Sequence, residues 1–464
     1  MPPERQQQPG RSLQPERPPS ELPRVLSLWD AICVVVGAII GVGIFFTPRD
    51  VALATGGPGA ALLAWTIGGV IALLGAFTFA ELGRLRPFAG GQYHVLRDVY
   101  GRPAAFLFVF CNLTAIQAGA VAIIAIVCAQ NVGVALYGTD PSSAWVLALA
   151  TVFTVLLVVV NILGVRDGAR VQDATVVVKL LTLTALVLLA LVFEPGATAP
   201  TASSASPLPR ETTPLTFAAL FSGVTLTLFA YGGWQQALWM AGEVVDARRV
   251  VPRAIILGVG VVVAGYLAAN WAYLDLLGFE GVRNAKALAA DAFSVPSLGP
   301  GRRIAAAAVA ISAFGVLNAQ FLTGPRLTWA MARDGMFFAP FARLHPRFAT
   351  PVPAILLLGL LAVGLTLGLG LDRTDVLTTG VVVVDGVFFA LTGLALPLLR
   401  RRVAPDDRGP SWLVGAAIAF ATLELLAITG SVLDKNARLV ALTGLGWIGA
   451  AAITWALFFR RKRA

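Results

Sequence analysis

The sequence predicts an all-α integral membrane protein, and three observations carry that prediction. Hydrophobic residues make up 57% of the 464 positions and charged residues only 13%, against about 25% charge in an ordinary soluble domain. The apolar residues gather into twelve runs, each near the roughly 20 residues that a helix needs to cross a bilayer. Lys and Arg are divided unevenly between alternate loops, as the positive-inside rule requires of a polytopic chain.

Taken in order, residues 1–23 are rich in Pro, Gln and Arg and hold no apolar core. They read as a disordered cytoplasmic tail, neither a signal peptide nor a folded domain. Twelve transmembrane segments follow at 28–49, 60–83, 103–136, 144–164, 174–193, 215–241, 251–277, 304–332, 352–370, 375–399, 411–431 and 439–459. With the N-terminus in the cytoplasm, the cytoplasmic stretches carry 24 of the 35 lysines and arginines and the outer loops nine, so both termini are expected inside. The basic loop between segments 7 and 8 is the one local exception, and Lys179 and Arg326 lie within segments 5 and 8.

The net charge of +10 belongs to this bias, because no soluble stretch is long enough to form a nucleic-acid-binding domain. The lipid bilayer is the expected partner, not nucleic acid. Cys33, Cys111 and Cys128 all fall in apolar runs, which leaves no disulfide framework and no metal cluster. No metal and no cofactor are expected. His94 and His345 lie in polar loops and read as surface residues.

Two segments carry glycine-rich interruptions, Gly37-Ala38-Ile39-Ile40-Gly41-Val42-Gly43-Ile44-Phe45 and Phe229-Ala230-Tyr231-Gly232-Gly233-Trp234. Broken helix at membrane depth is tolerated only where it is buried in protein or lines a cavity. The first interruption has two readings. Small residues at four-residue spacing let helices pack closely, which accounts for Gly37 and Gly41 but not for Gly43 and Pro48. Unwinding near Ile40–Gly43 instead starts a second half-helix, whose free N–H groups and positive end suit a carboxylate. The second interruption is stronger, since each mid-helix glycine costs about 1 kcal/mol relative to alanine. Phe229, Tyr231 and Trp234 beside it can shape and close a pocket. Carbonyls freed at both breaks can accept from an ammonium, and a carboxylate site beside an ammonium site describes an α-amino acid.

Further strings accompany the breaks: Leu28-Trp29-Asp30-Ala31-Ile32 before the first, Ala80-Glu81-Leu82-Gly83 and Gly90-Gly91-Gln92-Tyr93 around the end of segment 2, Val178-Lys179-Leu180 in segment 5, and Ala332-Arg333-Asp334-Gly335-Met336 after segment 8. In this order and spacing, over residues 24–402, the chain resembles the amino acid–polyamine–organocation (APC) superfamily and is similar to its L-type amino acid transporter group. The resemblance implies a leucine-transporter-type fold. Its inverted repeats would be residues 24–193 (segments 1–5) and 194–402 (segments 6–10). Residues 403–464 would add two peripheral helices and a short basic cytoplasmic tail. No residue-level repeat between the halves is visible.

Carried over by position, the resemblance implies a substrate site at Ile39, Gly41, Val42, Gly43, Phe229, Ala230 and Gly232. The amides of Val42 and Gly43 would take the carboxylate, and the carbonyls of Ile39, Phe229 and Gly232 the ammonium. The Phe229 ring would be the outer gate. Val42 stands where many relatives have serine and Gln235 where L-type members often have asparagine, which bears on side-chain specificity. Lys179, at a depth of ~9 Å in segment 5, can snorkel to the interface. The resemblance gives it another role, a cation in place of sodium that ties segment 5 to the first break, and proton coupling is a third.

Asp385 lies near the midplane of segment 10, where ionisable groups are usually functional or paired. It is either a coupling or pocket residue or an acid bracing helices. Glu424, on peripheral segment 11, reads as a packing or oligomer-contact residue. Asn318, Asn112 and Gln117 are candidate cavity residues or interhelical hydrogen-bonding groups.

The function expected is sodium-independent secondary transport of α-amino acids, neutral ones favoured, by alternating access, as exchanger or proton symporter. Cationic amino acids, polyamines or other organocations are the alternative. A membrane-embedded enzyme is disfavoured, because both histidines lie in loops and no aspartate pair shares a face. L-type members of animals join a partner through a cysteine between segments 3 and 4. The loop here, Tyr137-Gly138-Thr139-Asp140-Pro141-Ser142-Ser143, has none, so no disulfide-linked partner is expected. The Ala-, Gly- and Arg-rich composition suggests a bacterial inner membrane.

Overall fold

The computed structural model describes residues 22–193, 215–285, 288–294, 301–369, 374–434 and 438–459. Apart from Leu22 and Pro23, the tail expected over residues 1–23 lies outside them, as do the basic residues after 459. The described residues are helical and contain no strand, only an isolated bridge between Leu26 and Val244. Among the described residues, ten helical spans are long and apolar enough to cross a membrane, and Phe217–Tyr231 and Val352–Gly368 are shorter apolar helices. The chain is a multi-pass membrane protein. Its outward leucines and valines, such as Leu191 and Leu360, face a medium as apolar as they are.

The first span is two helices, α1 (Leu28–Ile39) and α2 (Gly43–Thr55). Ser27 and Asp30 start α1 with a reciprocal capping box, which satisfies two of the N–H groups a helix start leaves over. Helices α3 (Pro58–Leu85), α4 (Gly91–Tyr100), α5 (Arg102–Tyr137), α6 (Ser143–Leu163) and α7 (Val165–Val192) follow. After the undescribed 194–214 come α8 (Phe217–Tyr231), the single turn α9 (Gln236–Trp239), α10 (Ala247–Asn284), α11 (Leu288–Ser294) and α12 (Gly301–Arg333). Helices α13 (Val352–Leu369), α14 (Thr374–Arg401), α15 (Trp412–Leu433) and α16 (Arg438–Phe459) complete the bundle.

Three features differ from the sequence reading. Helix α7 begins at Val165, not at residue 174. Its first turns are helical but polar, with an Asp167–Arg170 pair on the exposed side, so hydropathy placed the boundary too late. Helices α4 and α11 link spans and were not expected. His94 is consequently not on a loop but in α4, half-buried against Phe88 and Tyr93.

The core runs through α1, α2, α3, α7, α8 and α10, with a second cluster among α5, α6, α12 and α13. The two broken spans touch at their breaks. Gly233 has φ +126°, and a Cβ there would lie 2.7 Å from the Ala38 carbonyl oxygen. A Cβ on Gly43 would lie 3.0 Å from the Ala230 Cα. Glycine thus serves twice, by left-handed backbone at one position and by close approach at the other.

One end of the bundle is locked by polar contacts. Arg84 bridges Glu81 and Asp407, and Arg97 bridges Asp98 and Asp334. Tyr93 Oη donates to Asp334 at 2.7 Å, and the Gln92 side chain accepts from the Trp239 indole at 3.0 Å. Deeper in, Arg326 and Glu243 form a two-bond pair at 3.0 Å with both side chains fully buried.

Two substitutions test this packing by thermal unfolding of the detergent-purified protein. Arg326→Gln leaves Glu243 buried without its cation and is expected to cost about 3–5 kcal/mol. Gly233→Ala imposes left-handed strain and a clash with Ala38, and about 1–3 kcal/mol is expected. An unchanged midpoint in either variant would contradict the corresponding contact.

Candidate functional site

The site begins as a backbone accounting problem, since unpaired peptide groups in a membrane interior cost several kcal/mol each. Helix α1 stops because Ile40 still donates to Val36 but the next residues do not continue the ladder. Three neighbouring helices supply donors to the carbonyls this frees. Lys179 Nζ of α7 reaches the Gly37 oxygen at 2.7 Å. Tyr266 Oη of α10 reaches the Ile39 oxygen at 2.9 Å. Ser312 Oγ of α12 lies 3.3 Å from the Ile40 oxygen and 3.4 Å from the Gly41 oxygen.

The second break is held from within. The Gly233 N–H donates to the Gln235 side chain at 3.0 Å, and the Gln236 N–H returns to the Gly233 oxygen. The Phe229 and Gly232 carbonyls receive no protein donor among the described residues. The N–H groups of Val42 and Gly43 likewise reach no acceptor among them, as the start of a helix leaves them.

These loose ends line one cavity of about 110 Å³. Ile39, Gly41, Val42, Gly43, Phe229, Ala230 and Gly232 all border it, as do Gln235 and Asp385. A larger cavity of about 590 Å³ opens toward the end of the bundle opposite the arginine-rich lock, lined by Arg49, Asp50, Asp140 and Arg302. Val42 and Phe229 border both cavities, and the Phe229 ring meets Phe46 at 6.0 Å. Phe229 therefore stands between the inner and the larger space.

Where the sequence left alternative readings open, the structure separates them. Lys179 is fully buried and does not snorkel to an interface. It does not border the cavity but fastens α7 to α1, with Gly315 leaving room for its stem. Of its two readings, Asn318 takes the interhelical one and does not border the cavity. It joins Asn161 of α6 to the Gly168 carbonyl and Gln172 of α7 at 2.7 to 3.3 Å. Glu424, read as a packing or oligomer-contact residue, is not an outward contact but is 3% exposed and borders the cavity beside Asp385, because α15 packs against α3, α8 and α14.

Gln117 borders the cavity at the end of a π-helical turn in α5, whereas Asn112 does not. Gln236 and Gln320 border it too and bond to each other at 3.0 Å. Sequence reasoning missed Tyr266, Ser312 and Gln320. Tyr266 on α10 and Ser312 and Gln320 on α12 stand in largely apolar helices, with no local motif to mark them.

A multi-pass helical protein whose two broken spans meet at a cavity lined by unpaired amides and carbonyls has the architecture of a membrane permease. The chain matches the family described as Amino acid permease over residues 26–457, and it belongs to that family within the APC superfamily. Among its relatives, the b(0,+)-type amino acid transporter 1 of Oryctolagus cuniculus is 30% identical over 362 residues, 78% of this chain and 73% of the relative. Its Homo sapiens counterpart is 31% identical over 354 residues, 76% and 72% of the two chains. The Large neutral amino acids transporter small subunit 2 of Mus musculus is 32% identical over 364 residues, 75% and 66%.

Lys179→Met removes the donor to Gly37 and leaves that carbonyl unsatisfied in the interior. A loss of about 1–3 kcal/mol is expected, read as a lower unfolding midpoint in detergent. A midpoint equal to that of the unmodified protein would refute the fastening role.

Proposed function

We propose that this permease is a sodium-independent secondary transporter of α-amino acids, working by alternating access. One observation carries the reading: the unpaired N–H groups that open α2 and the unpaired carbonyls that end α8 face the same cavity. The Val42 and Gly43 amides would hold the substrate carboxylate, reinforced by the positive end of α2. The Phe229 and Gly232 carbonyls, with the remaining lone pair of the Ile39 carbonyl, would hold the ammonium. Phe229 would close over the substrate from the larger cavity.

Sodium independence is supported by Lys179, whose ammonium already sits on the carbonyl of the first break. The proposal includes twelve membrane helices, with α8 and α13 completing the ten longer spans. It divides them into inverted repeats over 24–193 and 194–402, followed by two further helices over 403–464. Both termini would be cytoplasmic, in a bacterial inner membrane. The arginine-rich lock would then be the closed inner side and the larger cavity the open outer side. All three cysteines are buried, which supports a protein without a disulfide-linked partner. The mostly apolar wall, with Ile71, Ile124, Val316 and Phe389, supports neutral side chains. Asp385 on the same wall supports the second reading, a cationic amino acid or other organocation.

Purified protein in proteoliposomes, preloaded or empty, with and without sodium and a pH gradient, tests this against a radiolabelled amino acid panel. Uptake without sodium is expected. A requirement for internal amino acid would identify an exchanger, and uptake into empty vesicles driven by an inward proton gradient would identify a symporter. Strict dependence on sodium would overturn the role given to Lys179.

A further inference from the structure

We propose that Asp385 and Glu424 form a cation subsite within the central cavity, so that the amino acid bound there carries an ammonium or guanidinium group at the end of its side chain. This rests on the reading of the two breaks as an α-amino acid site and names the side chain that site takes.

The two carboxylates come from different helices, α14 and α15, and border the same cavity as Gly43 and Gly232. Glu424 lies against α14 at Gly386, the neighbour of Asp385: a Cβ there would lie 3.1 Å from Glu424 Oε2. No Lys, Arg or His among the described residues borders the cavity. The fully buried cations among the described residues are engaged elsewhere, Lys179 on the Gly37 carbonyl and Arg326 on Glu243. Arg400, farther along α14, bonds the carbonyls of Gly409 and Pro410.

An acid that merely braced helices would hydrogen-bond across to a neighbour. Among the described residues neither Asp385 nor Glu424 makes such a bond, and Asp385 Oδ1 is buried without a partner. A third helix points the same way independently. Gln117 of α5 is 3% exposed, borders the cavity, and leaves its side-chain oxygen unpartnered. Buried polar oxygens without donors are costly, so a ligand bringing donors and positive charge is complementary to this wall.

Two carboxylates and an amide fall short of the six or more oxygens that Ca²⁺ takes, and no group of three His, Cys, Asp or Glu among the described residues could hold a metal. An ammonium has three donors for three acceptors, and a guanidinium five. The breaks would hold the α-carboxylate and α-ammonium at one wall while the side-chain cation meets the acids at the other.

Equilibrium binding to the full-length protein in detergent, with ornithine, lysine and arginine set against norvaline and leucine, tests the subsite without any variant. Ornithine, or a longer cationic homologue, is expected to bind at least tenfold more tightly than norvaline, its analogue without the terminal amine. Asp385→Asn and Glu424→Gln, checked for monodispersity, are each expected to reduce that preference at least tenfold. Norvaline or leucine binding as tightly as the cationic amino acids would overturn the subsite and leave the α-amino acid site standing. An unreduced preference in both variants would overturn the assignment to these two acids. If none of the five amino acids binds, the α-amino acid site itself fails and the subsite with it.

Discussion

Everything at the centre of this protein depends on one constraint, the need to satisfy peptide groups where two membrane helices are interrupted. In a lipid interior no water is on hand to do it. Three helices answer for the first break, each with one side chain: Lys179, Tyr266 and Ser312. The second break is steadied by Gln235 from its own turn. What these donors leave over, the amides that open α2 and the carbonyls of Phe229 and Gly232, is concentrated at a single cavity. The scaffold thereby holds the interruption open and fixes the polarity of the space beside it.

Buried charge is handled in two ways. Arg326 is neutralised by Glu243 through two parallel bonds, the geometry that makes a desolvated guanidinium tolerable. Lys179 has no carboxylate partner among the described residues and rests on a backbone oxygen instead. The difference matches their positions. Arg326 lies just inside the polar lock at one end of the bundle, where ion pairs tie α3, α4 and α10 to Asp334 and Asp407. Lys179 lies at the break itself, where a carbonyl freed from its helix is an acceptor of unusual availability.

The correction at Glu424 shows where local reasoning stops. A glutamate in an apolar run near the C-terminal end of a helical chain gives no sign of which way it faces. Its direction is set by how α15 packs between α3, α8 and α14, and that is a property of the assembled bundle. Asn318, which the sequence left open between cavity and helix contact, belongs to a hydrogen-bonded seam with Asn161 and Gln172. Lys179 is fully buried on the Gly37 carbonyl, and the packing of α7 against α1 decides that among its readings.

The apolar runs, the two glycine interruptions and the family membership were all legible in the chain itself, because each is a local or composition-level property. Lipid demands long apolar helices, and a break in one needs glycine at the point of strain or closest approach. The candidate site residues from Ile39 to Gly43 and from Phe229 to Gly232 could be named because the family resemblance rests on those same strings. The tertiary structure alone decided which distant side chains hold those breaks, that Asp385 and Glu424 share a wall, and that Phe229 divides two cavities. Those facts depend on the rotation and register of helices hundreds of residues apart, and one lone tyrosine, serine or glutamate in an apolar helix encodes neither.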